Sequence, residues 1–169
     1  GEVAPMNARK AKTWYEKAAA KDDLDGINGL ARLYRYGSGV RKDQKKAFDY
    51  YQKASLQDHT RSQVGLGMAY RDARGVKKNL VYAYAWFLIA AEKISDQEYN
   101  SYRKDYEDRE ENLNRDNPQC EYVLEGRSFG RIFAVGYAKQ LLKDLKKRLS
   151  IKQIRKSEAL AEELKLSIQ

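Results

Sequence analysis

Three groups of residues in this 169-residue chain have types and spacings that could do chemistry. In the stretch YRYGSGVRKDQ, Tyr34–Gln44, Gly37 and Gly39 are followed by Arg41 and Lys42 and then by helix-forming sequence. A glycine-rich loop that opens a helix can turn backbone N–H groups toward a phosphate. Such loops also follow a strand and carry Gly-Lys-Ser/Thr or the dinucleotide-binding glycine spacing. Here a helical pattern precedes the loop and neither spacing occurs, so the loop reads as a turn between helices. The second group is His59 and Cys120, the single histidine and the single cysteine. They are the one Cys–His pairing available, but they are 61 residues apart with no flanking motif. His59 is expected as a surface turn residue and Cys120 as a small buried apolar one. One cysteine excludes an intrachain disulfide and a cysteine-based zinc site, and one histidine excludes a His-rich metal site, so no metal or cofactor is expected. The third group is the carboxylate pairs Asp22/Asp23, Glu110/Glu111 and Glu162/Glu163. Adjacent residues on a helix point about 100° apart, so these do not converge as acid–base pairs. The dense run 103–111 reads as a solvated helix face with i,i+4 pairs such as Asp105–Arg109.

The elements that position these residues repeat. Shifting the sequence by 36 residues aligns Ala11, Ala47 and Ala83; Trp14, Tyr50 and Trp86; Tyr15, Tyr51 and Phe87; Ala18, Ala54 and Ala90; and Tyr34, Tyr70 and Tyr106. Gly29/Gly65, Gly39/Gly75, Val40/Val76 and Asp43/Asn79 match as well. A fixed period of this size means stacked supersecondary units. Positions 11, 14, 15 and 18 lie on one face of a helix. The spacing predicts alternating A and B helices: A1 over 7–20, B1 over 25–36, A2 over 44–57, B2 over 61–73 and A3 over 80–94. Asn7, Asp43 and Asn79 are expected to cap the A helices, and Asp25 and Thr60 the B helices.

Beyond the repeat, Ser95 and Glu98 have capping-box spacing, which predicts a helix over 96–114 with Tyr99, Tyr102 and Tyr106 in one stripe against A3. Asn117-Pro118 stops the chain and restarts it as a short helix over 118–125. Gly126, Gly130 and Gly136 argue against a continuous helix there. From Ala138, Leu141, Leu142, Leu145 and Leu149 form an apolar stripe, and Ser150 with Gln153 opens a last helix burying Ile151, Ile154, Ala161 and Leu164. The charge is uneven. Residues 1–94 carry +8, residues 95–116 carry −4 and residues 117–169 carry +5, for +9 overall. Interleaved acids dilute the basic runs, with 143–156 the one clean basic stripe, and nucleic acid is not the expected partner.

The segments AKTWYEKAAAKDD, LARLYRYGSGVRKDQKKAFDYYQKAS and LGMAYRDARGVKKNLVYAYAWFLIAA resemble the Sel-one-like repeat (SLR) family, helical-pair solenoids related to tetratricopeptide repeats. The shared pattern is Ala-x-x-Trp/Tyr-Tyr/Phe-x-x-Ala-Ala, Leu-x-x-x-Tyr, Gly-x-Gly-Val and a basic-Asp/Asn turn, over about residues 8–94. The second linker departs from it, with Ala73 and Arg74 in place of the first glycine and its spacer. The fold implied is an all-α, right-handed α/α superhelical solenoid of helix pairs with a C-terminal helical cap. Residues 1–94 form two units and helix A of a third, 95–137 an inserted segment, and 138–169 a capping hairpin, since a solenoid end exposes its core.

The function implied is a non-catalytic adaptor or scaffold that binds a protein partner on the A-helix face. Two other readings stay open: an immunity or inhibitor protein that neutralises a secreted bacterial effector or toxin, and an enzyme with a pocket formed by 99–137. Repeat columns should be core, so the contact residues are expected off-column: Phe48, Val81, Tyr82, Tyr84 and Leu88, with Arg9, Lys12, Lys45, Asp49 and Gln52 as a polar rim. The net charge allows an acidic partner. Helix A3 is apolar almost all round, and the 95–137 segment is expected to cover it. Its apolar run Leu80–Ala91 is too short to span a bilayer. No leader sequence is visible, and Gly1 is not a natural translation start, so the sequence reads as a piece of a longer chain. The bacterial periplasm or the exterior is favoured over the cytoplasm.

Overall fold

The structure is a computed structural model that describes residues 3–95, 97–100 and 127–168. Among the described residues it contains seven helices: α1 (Val3–Ala19), α2 (Leu24–Tyr36), α3 (Gln44–Ser55), α4 (Thr60–Asp72), α5 (Leu80–Ala91), α6 (Arg127–Lys146) and α7 (Ile151–Ser167). Each of α1 to α5 packs on the next, α6 lies against both α4 and α5, and α7 lies against α5. This is an SLR-type solenoid in which α1, α3 and α5 are the A helices and α2 and α4 the B helices.

The caps explain the boundaries. Asp43 accepts from the Lys46 N–H, and Asn79 from those of Val81 and Tyr82, so α3 and α5 start as expected. Three expected caps are corrected. Asn7 lies inside α1, which begins at Val3. Asp23 rather than Asp25 caps α2, accepting from the Gly26 N–H at 2.8 Å. His59 takes the capping position of α4 without a capping hydrogen bond, and Thr60 is already buried in the first turn.

The period also appears in the packing. The ring of Tyr15 covers Gly29, and 36 residues later that of Tyr51 covers Gly65. A methyl group on either glycine would fall about 2.5 Å from the ring, so the glycine lets an aromatic lie flat on the next helix. Ring contacts step along the stack: Tyr34 on Tyr50 at 5.8 Å, Phe48 edge-on to Tyr70 at 5.5 Å, and Tyr70 on Tyr82 at 5.0 Å.

The C-terminal part differs from expectation. α6 runs unbroken from Arg127 across residues 137 and 138, with Gly130 and Gly136 inside it. The Tyr99 ring fills the space where a Gly136 side chain would stand. Helix α5 is covered within the chain by α4, α6 and α7, so both residues before and residues after 137 contribute. Ser150 and Gln153 form the expected capping box. Leu141, Leu145 and Leu149 are buried as expected, whereas Ile151 is 72% exposed because it precedes the first turn that reaches the core. Ser95 Oγ accepts from the Glu98 N–H and residues 97–100 are helical. The remainder of the helix expected over 96–114, with Tyr102 and Tyr106, the run 103–111, the short helix over 118–125 and Cys120 lie outside the described residues.

Candidate functional site

The glycine loop uses backbone N–H groups at both of its ends in its own hydrogen bonds. Gly37 is left-handed (φ 77°), and the N–H groups of Gly37 and Ser38 both donate to the Leu33 carbonyl, at 2.8 and 3.1 Å. The Asp43 N–H donates to Tyr34 O at 2.9 Å. One period later Arg74 and Asn79 repeat this toward Ala69 and Tyr70, both at 2.9 Å. These donors end one helix and start the next, as a turn between helices requires.

The polar cluster with the most chemical character centres on His59. Its Nδ1 lies 2.8 Å from Ser62 Oγ and its Nε2 2.9 Å from Asp25 Oδ1. Asp25 also receives Arg61. Burial would raise the Asp25 carboxyl, but Arg61 and the His59 hydrogen bond outweigh it and hold it below its ordinary value. Burial lowers the His59 imidazole, with Asp25 opposing only in part. In the tautomer with its proton on Nε2, neutral His59 donates to Asp25 and offers Nδ1 to Ser62. This is the order of contacts in a nucleophilic triad. Ser62, however, is 0% exposed and also lies 3.2 Å from Asn28 Oδ1. No substrate reaches its hydroxyl in this fold. The cluster ties the start of α2 to the start of α4, beside an open cavity of ≈ 450 Å³ lined by Asp23, Asp58, Arg61 and Arg131 among others. His59 is therefore a half-buried tie between helices rather than a surface turn residue.

The A-helix face is graded along the chain. In the column Trp14, Tyr50, Trp86, the first is 70% exposed, the second half-buried and the third 3% exposed. The column Arg9, Lys45, Val81 runs from exposed to half-buried, and so does Glu16, Gln52, Leu88. The cause is α7. Its Leu160, Leu164 and Ile168, around buried Ala161, pack into the cluster that holds Trp86, Ile89 and Leu88. Lys165 adds ion pairs to Glu92 and, at 2.7 Å, to Glu162.

This arrangement sorts the ten expected contact residues. Arg9, Lys45, Asp49 and Gln52 are exposed, and Lys12, paired with Glu16, is half-exposed. Val81, Tyr82 and Leu88 are half-buried, Tyr82 against Tyr70 and Leu88 in the cluster under α7. Phe48 and Tyr84 are corrected: at 5% and 6% exposure they belong to the core. Positions 12, 48 and 84 share one column, and that column faces inward, so a large apolar residue off the most obvious columns occupied a further core column. Sequence reasoning missed Trp14, which it placed in the core.

These features define an α-solenoid of helix pairs with an uncovered A-helix face near its start. The Sel1 repeat model matches residues 1–23, 24–59 and 60–94, and the chain belongs to the Sel1 repeat family. Its boundaries fall at the starts of α2 and α4, so the family unit is phased as B then A. No curated protein matches the chain. The structure of a protective antigen present in uropathogenic Escherichia coli strains, displaying an SLR fold, is similar with a TM-score of 0.63 at 24% identity, over 95% of this chain and 26% of that one. A Sel1 repeat protein from Oxalobacter formigenes aligns with a TM-score of 0.46 at 27% identity, over 60% of this chain and 44% of that one. The chain thus spans about a quarter of the first neighbour and under half of the second. The functional class that family membership supports is a protein-interaction scaffold. No described helix is long and apolar enough to cross a membrane.

Proposed function

We propose that the chain binds a partner protein on the exposed A-helix face of α1 and α3, with Trp14 as the apolar anchor and Arg9, Lys45, Asp49 and Gln52 around it. The observation that carries this reading is the graded burial of the A face: α7 closes it at α5 and leaves it open at α1 and α3. A tryptophan standing 70% clear of the fold is otherwise an unfavourable surface residue, and tryptophan is enriched among residues that dominate binding energy. Lys17 lies 5.5 Å from its ring centroid. Arg9, Lys10, Lys17, Lys45, Lys46 and Lys53 outnumber Glu16 and Asp49 on these two helices, which favours an acidic partner surface.

The test is affinity capture from a bacterial lysate with the unaltered chain, Trp14→Ala, and Arg9→Glu combined with Lys45→Glu. These side chains are exposed, so far-UV circular dichroism should not change. The partner retained by the unaltered chain should be lost with each variant, about tenfold or more in affinity for Trp14→Ala. Undiminished capture by both variants would place the binding surface elsewhere.

A further inference from the structure

We infer that the turn between α6 and α7, with the helix ends that flank it, is a docking surface for an anionic lipid bilayer, independent of whichever partner the A-helix face takes. Residues 143–156 carry seven cations, Lys143, Lys146, Lys147, Arg148, Lys152, Arg155 and Lys156, against one carboxylate, Asp144. All seven are exposed, and none makes a side-chain hydrogen bond or ion pair with a described residue. Elsewhere Lys12, Lys45, Lys53, Arg61, Arg71, Arg74, Lys93 and Lys165 each reach a carboxylate. Asp144, the one acid inside the patch, faces Gln140 at 3.4 Å.

Two further facts separate this patch from an ordinary solvated face. First, Lys152, Arg155 and Lys156 stand in the first two turns of α7, and its first turn has no acidic residue. Cations at a helix N-terminus oppose the macrodipole, so folding alone does not favour them there. Secondly, Ile151 is 72% exposed in the middle of the cluster, one helical turn before Arg155 and beside Lys152. Leu145, Leu149 and Ala161 on either side of it in the sequence are buried, so the core forms without it. An aliphatic side chain ringed by long basic ones can sit among acyl chains while the ammonium groups reach headgroup phosphates.

The composition selects among anionic partners. Five of the seven cations are lysines, point charges suited to a diffuse charged surface rather than to bidentate recognition. No aromatic residue lies within 143–156 to stack on a base. Clusters of four to eight Lys/Arg are the usual basis of attraction to anionic leaflets, at about fivefold in affinity for each cation near the surface.

The test is co-sedimentation of the full chain with vesicles of phosphatidylcholine mixed with phosphatidylserine, and with vesicles of phosphatidylcholine alone. Binding is expected only to the mixed vesicles and should weaken with added salt. Lys147→Gln with Lys152→Gln should weaken it by roughly 25-fold, and Ile151→Ser by roughly tenfold. Every altered side chain is exposed, so thermal unfolding should stay unchanged and the loss cannot be ascribed to misfolding. Trp14→Ala should leave vesicle binding intact, which separates this surface from the A-helix face. No binding to mixed vesicles, equal binding to neutral ones, or indifference to the lysine or isoleucine changes would each overturn the proposal. Tighter retention on double-stranded DNA that is likewise insensitive to Ile151→Ser would overturn it in favour of a nucleic-acid surface.

Discussion

Substitution of Gly75 by alanine tests the reading of the glycine turns. Gly75 sits at φ 72°, where a Cβ costs about 1–2 kcal/mol. A Cβ there would also collide with the Gln44 carbonyl oxygen, fall 2.5 Å from its carbon and lie 2.9 Å from Lys45 Cα. These are backbone atoms at the start of α3, so relief requires a helix to shift, and overpacking of this kind costs about 1–3 kcal/mol. The smaller entropy of the unfolded alanine chain returns about 0.4–1 kcal/mol. The net expectation is a loss of about 1–4.5 kcal/mol, which is roughly 2–18 °C in Tm for a chain of this size. Two residues earlier the sign reverses. Ala73 ends α4 in the left-handed region at φ 57°, in the place Gly37 holds one period before. Ala73→Gly should therefore stabilise by about 0.5–1 kcal/mol. Urea denaturation followed by far-UV circular dichroism measures both, with the m-value unchanged. A loss below about 0.5 kcal/mol for Gly75→Ala, or a loss for Ala73→Gly, would refute the claim that these positions are fixed by backbone geometry.

Other consequences concern His59 and α7. His59 is held below its ordinary value of 6.5, chiefly by burial, so the unfolded chain takes up its proton first as the pH falls. The stability it contributes is present in full above 6.5 and is lost as the pH drops from there through the folded value. His59→Gln should flatten the fall of Tm with pH in that window, and an unchanged slope would remove His59 as its source. Leu164→Ala should cost about 1–2 kcal/mol, because this half-buried side chain helps cover Trp86. It should also make Trp86 more accessible to acrylamide quenching while Trp14 stays fully quenchable. An unaltered quenching curve would mean that α7 does not cover that helix in solution.

The helix pairs were legible because they rest on local and periodic signals. Aromatic and alanine columns fixed the five repeat helices, and Asp43 and Asn79 marked two starts within a residue. The errors arose where a polar side chain had a choice. Asp25 and Asp23 are equally good caps by type, and only the placement of His59 and Arg61 from the next unit draws Asp25 away. Likewise Phe48 and Tyr84 looked surplus to the core because the period shows which positions are equivalent, not which way each column faces. Tyr70 meets Phe48 from the following helix, a contact that requires the angle between helices to be known. Glycine statistics also misled at Gly130 and Gly136. A glycine inside a helix is disfavoured by about 1 kcal/mol, but the approach of the Tyr99 ring makes Gly136 a packing requirement.

The same distinction between equivalence and environment bears on function. Trp14, Tyr50 and Trp86 are one position of the repeat, yet their exposure falls from 70% to 3% along the array. Nothing in the repeat itself produces this gradient. It comes from a helix outside the repeat, α7, whose Leu160, Leu164 and Ile168 pack into the cluster that holds Trp86 and Ile89 of α5. Helix α7 therefore sets how much of the A-helix face stays uncovered. A residue's column predicts its chemistry, whereas its distance from the cap predicts whether that chemistry is available. On this argument a variant with α7 weakened by Leu160→Ser and Leu164→Ser should gain apolar surface beside Trp86 and bind an environment-sensitive apolar dye more strongly. If the proposed surface on α1 and α3 is right, partner capture should survive, because α7 lies chiefly against α5. Loss of partner capture without global unfolding would instead mean that the recognised surface extends onto α5 and that α7 is part of it.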